Sequence, residues 1–167
     1  MNTITIILST ARDNNFTSRI ADIVRAHVAG KGFDVQFVDI KDFLFGKTMT
    51  LADNPKEVAL WAEIVAKSDG VIFVAPEYNH TYPGELKILL DSLTQEYAGK
   101  PAGIVSVSAG DYAGVRMVDA LKILLHTLGF RLANRSVNVG NVQTDINEGR
   151  ITKHLNTVLE EMKDLQK

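Results

Sequence analysis

Short apolar runs alternate along this chain with segments in which apolar residues return every three or four positions. The runs TITIILS at 3–9, FDVQFVDI at 33–40, GVIFVAP at 70–76, AGIVSVSA at 102–109 and RLANRSVNV at 131–139 are rich in Ile, Val and Phe, which predicts five strands. The first, third and fourth are almost continuously apolar, as expected of strands covered on both faces. The second and fifth carry more polar side chains and suit the edges. Between them, Ile20, Val24 and Val28 predict a helix that stops at Gly30 or Gly32, and Val58, Ala62 and Val65 a second one opened by the turn DNP at 53–55. Leu86, Leu89, Leu90 and Leu93 mark a third helix. Val118, Leu121, Leu124, Leu125 and Leu128 mark a fourth, ended by Gly129, and Ile151, Leu155, Val158, Leu159 and Met162 a fifth.

Strand and helix alternating five times, with connections long enough for right-handed crossovers, predict an α/β fold. The expected architecture is a doubly wound five-stranded parallel sheet with helices on both faces, formed as one domain over residues 1–167. In the strand order 2-1-3-4-5, ligands bind beyond the carboxyl ends of the strands, in the crevice between strands 1 and 3. The stretch KDFLFGKTMTLAD at 41–53 has no clear period and reads as a long surface connection. Its Phe43, Leu44, Phe45, Met49 and Leu51 are covered either by a partner subunit or by folding back on the same subunit.

Composition narrows the chemistry. There is no cysteine, so thiol catalysis, zinc–thiolate sites and disulfides are excluded, and redox chemistry would need a bound cofactor. Eighteen basic residues against 20 acidic ones leave a net charge of −2, which disfavours nucleic acid and anionic membranes as partners. No apolar stretch approaches the roughly 20 residues that span a bilayer. A cytoplasmic protein is the expectation.

Three loops at the predicted crevice are polar. After strand 1, STARDNNFTSRIA at 9–21 gathers the hydroxyls of Ser9, Thr10, Thr17 and Ser18, the Arg12 guanidinium and the amides of Asn14 and Asn15 ahead of a helix. Such a set makes either a phosphate cradle at the helix N-terminus or a simple N-cap. Neither the dinucleotide pattern G-x-G-x-x-G nor the triphosphate loop is present there, so a terminal monophosphate on a larger ligand fits better. After strand 3, Pro76 and Pro83 bracket a stiff loop in which Glu77 to Asn79 can offer backbone groups to a heteroaromatic ring, with Tyr78 or Tyr82 as a rim. The alternative is that Tyr78 packs on the sheet and Asn79 caps the turn. After strand 4, SVSAGDYAGVR at 106–116 has glycines that permit close backbone approach, with Ser108 and Tyr112 in reach of the same crevice.

PEYNHTYPGELKILLDSL at 76–93 resembles the signature P-E-Y-N-x-x-x-P-G-x-L-K-x-x-x-D of the NADPH-dependent FMN reductase family, a flavodoxin-like group of quinone, chromate and azo-dye reductases. STARDNNFTSRIA is similar to the family's G-S-x-R-x-x-S-x-N-x-x-L-A loop, and SAGDYAGVR to its S-x-G-x-x-G-G-x-R turn. Ser9 stands where Gly is usual, Asn15 and Thr17 where Ser and Asn are usual, Ala113 replaces one Gly, and Ser92 stands where Trp is common. The resemblance implies that Thr10, Arg12, Asn15, Phe16, Thr17 and Ser18 surround an FMN phosphate. By the same token Pro76, Glu77, Tyr78 and Asn79 line the isoalloxazine, and Ser108, Ala109, Gly110 and Tyr112 close the other side.

It further implies hydride transfer from NADPH or NADH to FMN and then reduction of a quinone-like, azo, flavin or metal-oxyanion acceptor, in a homodimer or homotetramer. The flavin would carry the chemistry, so no catalytic residue and no metal is expected of the protein. His27, His126 and His154 fall in predicted helices as packing or surface residues, while His80 sits in the flavin loop and Arg116 would meet the NADPH phosphate or cap a helix. Two alternatives are a flavodoxin-like electron carrier, which the small net charge and the loop STARDNN disfavour, and a flavin-responsive regulatory module.

Overall fold

The computed structural model describes residues 1–53 and 55–166. Its strands are β1 (Thr3–Leu8), β2 (Asp34–Asp39), β3 (Gly70–Pro76), β4 (Pro101–Val107), β5 (Arg131–Leu132) and β6 (Val137–Val139), and its helices α1 (Phe16–Gly30), α2 (Lys56–Lys67), α3 (Gly84–Leu90), α4 (Val115–Thr127) and α5 (Glu148–Asp164). The strands form a parallel sheet in the order β2-β1-β3-β4-β5, with β6 also on β4. Thr3 pairs with Asp34 on one side of β1 and Ile4 with Gly70 on the other, so the chain steps outward to β2 and then back across β1 to β3. This reversal opens a crevice at the carboxyl ends of β1 and β3.

Side chains alternate between the two faces of each strand, so the sheet has two cores. Val71, Phe73 and Ala75 of β3 face Val58, Trp61 and Val65 of α2, Leu86 and Leu89 of α3, and Leu121 and Leu125 of α4. Ile72 and Val74 face Ile20, Val24 and Val28 of α1 and Leu155, Val158 and Met162 of α5. The helices therefore cover both faces, as their apolar periods require. An aromatic cluster fills the first core, where Trp61 donates its indole N–H to the Tyr97 hydroxyl at 2.8 Å and Tyr97 stacks on Phe130 with centroids 5.0 Å apart.

The structure departs from the sequence pattern at the fifth strand and decides between the readings left open elsewhere. The expected fifth strand is two short strands: Ala102 pairs with Leu132 and Val105 with Val137, so residues 133–136 loop out opposite residues 103–104. The loop is held by polar groups, with Arg135 N–H donating to Glu161 and Lys122 donating to the Asn134 carbonyl. In the connection after β2, Phe43 is buried and Phe45 and Met49 pack on the same subunit's core, while Leu44 and Leu51 stay exposed. The second helix starts at Lys56, and Asn54 of its expected turn lies outside the described residues. Helix α1 runs through Gly30, and the turn falls at Gly32 with φ +83°. Among the described residues no helix is long and apolar enough to cross a membrane.

Helix α5 lies directly on the backbone of β4 at Gly103, where a Cβ would stand 2.6 Å from Val158 Cγ1 and 3.0 Å from Met162 Sδ. Val158 is β-branched and fully buried, so it has little room to move. Gly103→Ala is expected to destabilise the protein by about 1–3 kcal/mol through overpacking, read as a lower urea midpoint at unchanged slope.

Burial pushes the Tyr97 phenol far above its usual range. Above about pH 10 the unfolded chain therefore binds fewer protons than the folded one, and stability falls as pH rises. Tyr97→Phe leaves the Trp61 N–H buried without an acceptor, at a cost of about 1–3 kcal/mol. Urea titrations at about pH 8 and about pH 11 should find the gap between wild type and variant narrowing at the higher pH, because only the wild type carries this alkaline loss.

Candidate functional site

Loops from the carboxyl ends of β1, β3, β4 and β6 meet at the crevice and enclose a cleft of about 250 Å³. Its walls are Arg12, Asn14, Asn15, Phe16 and Thr17 on one side, Pro76, Glu77 and Tyr78 on another, and Val107, Ser108, Ala109, Val142 and Gln143 on the third.

At the β1 side, Asn15 is the N-cap of α1: its Oδ1 accepts from Ser18 N–H at 2.8 Å, and its Nδ2 donates to the Arg12 carbonyl at 2.6 Å. Ser18 Oγ in turn donates to the Asn15 carbonyl. Both side chains are thus engaged in capping, the simpler of the two readings for this loop. Among the groups that stay open are the Phe16 and Thr17 backbone N–H pair of the first turn and the Arg12 guanidinium, which has no ion pair or hydrogen-bond partner among the described residues. The acid of the same loop is neutralised by its own partner, since Lys41 Nζ lies 2.6 Å from Asp13 Oδ1 and holds that carboxyl below the usual range. Asp13 therefore does not offset the Arg12 charge beside the α1 N-terminus.

At the β3 side, the ladder continues one residue past the strand, with Glu77 N–H donating to the Val107 carbonyl at 2.9 Å. Tyr78 and Thr81 then exchange both backbone hydrogen bonds around a two-residue turn in which Asn79 and His80 take φ +48° and +68°. That is the positive-φ hairpin geometry that Asn tolerates. The Tyr78 hydroxyl lies 2.8 Å from Thr10 Oγ1, tying the β3 loop to the β1 loop. The N–H groups of Glu77 and Tyr78 are consumed inside the protein, so of the expected backbone donors of this loop Asn79 alone remains open. Glu77 instead presents its side chain: Oε1 is buried with no hydrogen-bond partner, and Oε2 has a long contact of 3.4 Å from Ser108 Oγ.

On the third side, Ser108 N–H donates to the Val139 carbonyl and Val142 N–H to the Ser108 carbonyl, so the loop after β6 is stitched to the loop after β4. Gly140 permits this approach, because a Cβ there would come 2.8 Å from the Gly110 carbonyl oxygen. The stitching brings Val142 and Gln143 into the cleft wall, beside Val107.

Of the residues expected at the site, Arg12, Asn15, Phe16, Thr17, Pro76, Glu77, Tyr78, Ser108 and Ala109 line the cleft. Thr10 is fully buried behind Tyr78, and Ser18 lies one helix turn away in the cap. Asn79 is exposed at the hairpin tip, Gly110 lies beside Ser108, and Tyr112 is 69% exposed with the Arg116 guanidinium 4.8 Å from its ring centroid. His80 bonds Arg116 at 3.0 Å outside the cleft wall, and His27 bonds Asn156 between α1 and α5. Val107, Val142 and Gln143 were not expected there; the one signal for the last two is Gly140 ahead of the polar run NVQTD.

The model of a family described as NADPH-dependent FMN reductase matches residues 2–144. An NAD(P)H-dependent FMN reductase of Saccharomyces cerevisiae is 37% identical over 91 residues, 54% of this chain and 44% of that protein. A 2-hydroxy-1,4-benzoquinone reductase of a Burkholderia species is 30% identical over 112 residues, covering 64% and 61%. A quinone reductase of Escherichia coli is 37% identical over 92 residues, covering 53% and 49%. The chain thus spans about half the length of the curated relatives it matches. Among solved structures, the flavoenzyme NAD(P)H:(acceptor) oxidoreductase FerB of Paracoccus denitrificans superposes with a TM-score of 0.80 at 19% identity, covering 99% and 98% of the two chains. Flavodoxin 1 of Bacillus cereus superposes with a TM-score of 0.64 at 19% identity over 98% of each, so the fold is flavodoxin-like. The family match runs from the first strand through all the loops that build the cleft, and the chain belongs to the NADPH-dependent FMN reductase family.

Proposed function

We propose that this protein is an FMN-dependent oxidoreductase that takes electrons from NADPH or NADH and delivers them to a quinone-type acceptor. The observation that carries the reading is the unpaired Arg12 guanidinium beside the open Phe16 and Thr17 N–H groups at one side of the cleft. A phosphate monoester there would gain a charged fork and two backbone donors at a helix N-terminus. The other walls suit a planar ring with polar edges, since Pro76, Tyr78, Val107 and Val142 are flat or apolar while Glu77 Oε1 lacks a partner. The residues present therefore fit FMN.

When bound, FMN supplies the redox chemistry, accepting two electrons as hydride from the nicotinamide and passing them to the acceptor. The protein's contribution is to bind and to orient. Arg12 and the α1 N-terminus anchor the phosphate away from the ring, so ring position is set by the β3 and β4 loops. The Tyr78 hydroxyl bond to Thr10 and the Tyr78–Thr81 hairpin hold the ring loop in one conformation before ligand arrives, which lowers the ordering cost of binding. Azo compounds, free flavin and metal oxyanions are further acceptor classes for the same exposed ring, and a homodimer or homotetramer would cover it more fully. Relatives bearing the names FMN reductase and quinone reductase support the choice of acceptor to test first.

Titration of the protein with FMN and with riboflavin, followed by flavin fluorescence, tests the phosphate site. FMN should bind clearly tighter, and Arg12→Ala should weaken FMN by roughly 10- to 100-fold while leaving riboflavin unchanged. Equal binding of both flavins by the wild type would refute the phosphate site, and binding of neither would refute the cofactor. Steady-state oxidation of NADPH and NADH with benzoquinone should give parallel double-reciprocal lines, as a ping-pong cycle does. A protein that binds FMN tightly yet does not oxidise either nucleotide would be a carrier or a regulatory module instead.

A further inference from the structure

The end of the sheet away from the cleft holds a second constellation. Asp69 precedes β3, Lys100 precedes β4 and Arg131 opens β5, and the three line a groove of about 380 Å³ at the amino ends of the strands. Lys100 is half-buried there, and its Nζ donates to the Ser68 carbonyl at 2.8 Å. Among the described residues no carboxylate lies within ion-pair distance of it, whereas Lys41 is paired with Asp13 and Lys87 with Asp91. Asp69 spends its Oδ2 on the Asn2 and Thr3 backbone N–H groups. An ammonium taken out of water without a paired carboxylate loses favour against the free amine. Burial accordingly holds the Lys100 amine below the usual lysine range, and Asp69 offsets this only in part.

Arg131 adjoins Lys100 across the sheet, its backbone N–H donating to the Lys100 carbonyl at 2.9 Å. Among the described residues its guanidinium makes one hydrogen bond, from Nη1 to the Leu165 carbonyl, and no ion pair. A guanidinium carries five N–H donors, so most of them remain for a ligand. The groove thus sets a nucleophilic amine near an anion-binding fork. A small molecule that uses both has an electrophilic carbon joined to a phosphate. We propose that Lys100 is a site of acylation by small acyl phosphates, with Arg131 holding the phosphate while the amine attacks the acyl carbon. The nitrogen forms a bond to that carbon as the bond from carbon to the phosphate oxygen breaks. Phosphate leaves with the electron pair of the broken bond, and the proton of the nitrogen passes to water. Nothing is oxidised or reduced. The amide produced keeps an N–H that can still donate to the Ser68 carbonyl, so the fold accommodates the change. One positive charge leaves the groove, and the cleft loops, at the other ends of the parallel strands, are untouched.

The test treats the full chain with acetyl phosphate, or with acetic anhydride, which carries the same acyl group and no phosphate. Peptide mass spectrometry follows the acetylation rate of each lysine. With acetyl phosphate Lys100 should be the fastest of the lysines. With acetic anhydride its rate should level off at a pH below the ordinary lysine value of 10.5. Arg131→Gln should slow Lys100 by roughly 2- to 5-fold with acetyl phosphate, the worth of an exposed ion pair, and leave its rate with acetic anhydride unchanged. Arg131→Lys, which keeps the charge, should retain most of the rate. A Lys100 no faster than the other lysines with acetyl phosphate overturns the proposal, and this ranking needs no variant. An Arg131→Gln variant that reacts as fast as the wild type overturns it too, as does one slowed equally with both reagents, since Arg131 would then shape the groove without holding phosphate.

Discussion

Every residue of β3 and of β4 is buried, because helices lie on both faces of the sheet and neighbouring strands on both sides. A strand enclosed in this way admits a polar side chain only when it is hydrogen-bonded, as Ser106 is to the Ala113 carbonyl, so unpaired polar groups collect where the strand ends. The reversal of direction between β1 and β3 leaves those ends uncovered at one point only in the strand order, and the cleft forms there. The position of the site thus follows from the packing of the sheet. Its chemistry follows from what the loops do with their hydrogen bonds.

Most polar groups around the cleft are already satisfied by one another. Asn15 and Ser18 cap α1, Tyr78 bonds Thr10 and Thr81, and Ser108 bridges the loops after β4 and β6. These bonds fix the wall and leave open, among the described residues, groups that include the Arg12 guanidinium, two helix N–H groups and one oxygen of Glu77. The charged ones are of opposite sign on opposite sides, the Arg12 guanidinium at α1 and the Glu77 carboxylate at β3. A cleft so divided discriminates by the polarity of a ligand's two ends as well as by its shape.

Much of this was legible along the chain. The continuous apolar runs of β1, β3 and β4 announce buried strands because burial on both faces erases alternation, and the four-residue steps of α1 and α5 announce their inner faces. Polar loops after β1, β3 and β4 mark the crevice for the same reason, since they interrupt apolar runs where interruption is permitted. The segment 131–139 was less readable: whether RLANRSVNV makes one strand or two depends on its register against β4, and that register is set by partners distant in sequence. Leu44 and Leu51 face solvent while Phe43, between the same turns, is buried, a distinction that no local period carries.

The sequence by itself determined the alternation of elements, the parallel sheet and the three loops that face the crevice, because these rest on local apolar patterns and on residue types that favour turns. Tertiary structure decided which groups in those loops are free. Asn15 and Ser18 look as suited to a phosphate as Arg12 does until their bonds to each other are seen, and the backbone of Glu77 looks available until Val107 takes its N–H. Val142 and Gln143 join the wall only because Gly140 lets one loop close on another. A hydrogen-bonding group has one set of valences, and whether it serves the fold or a ligand is settled by which neighbour reaches it in three dimensions.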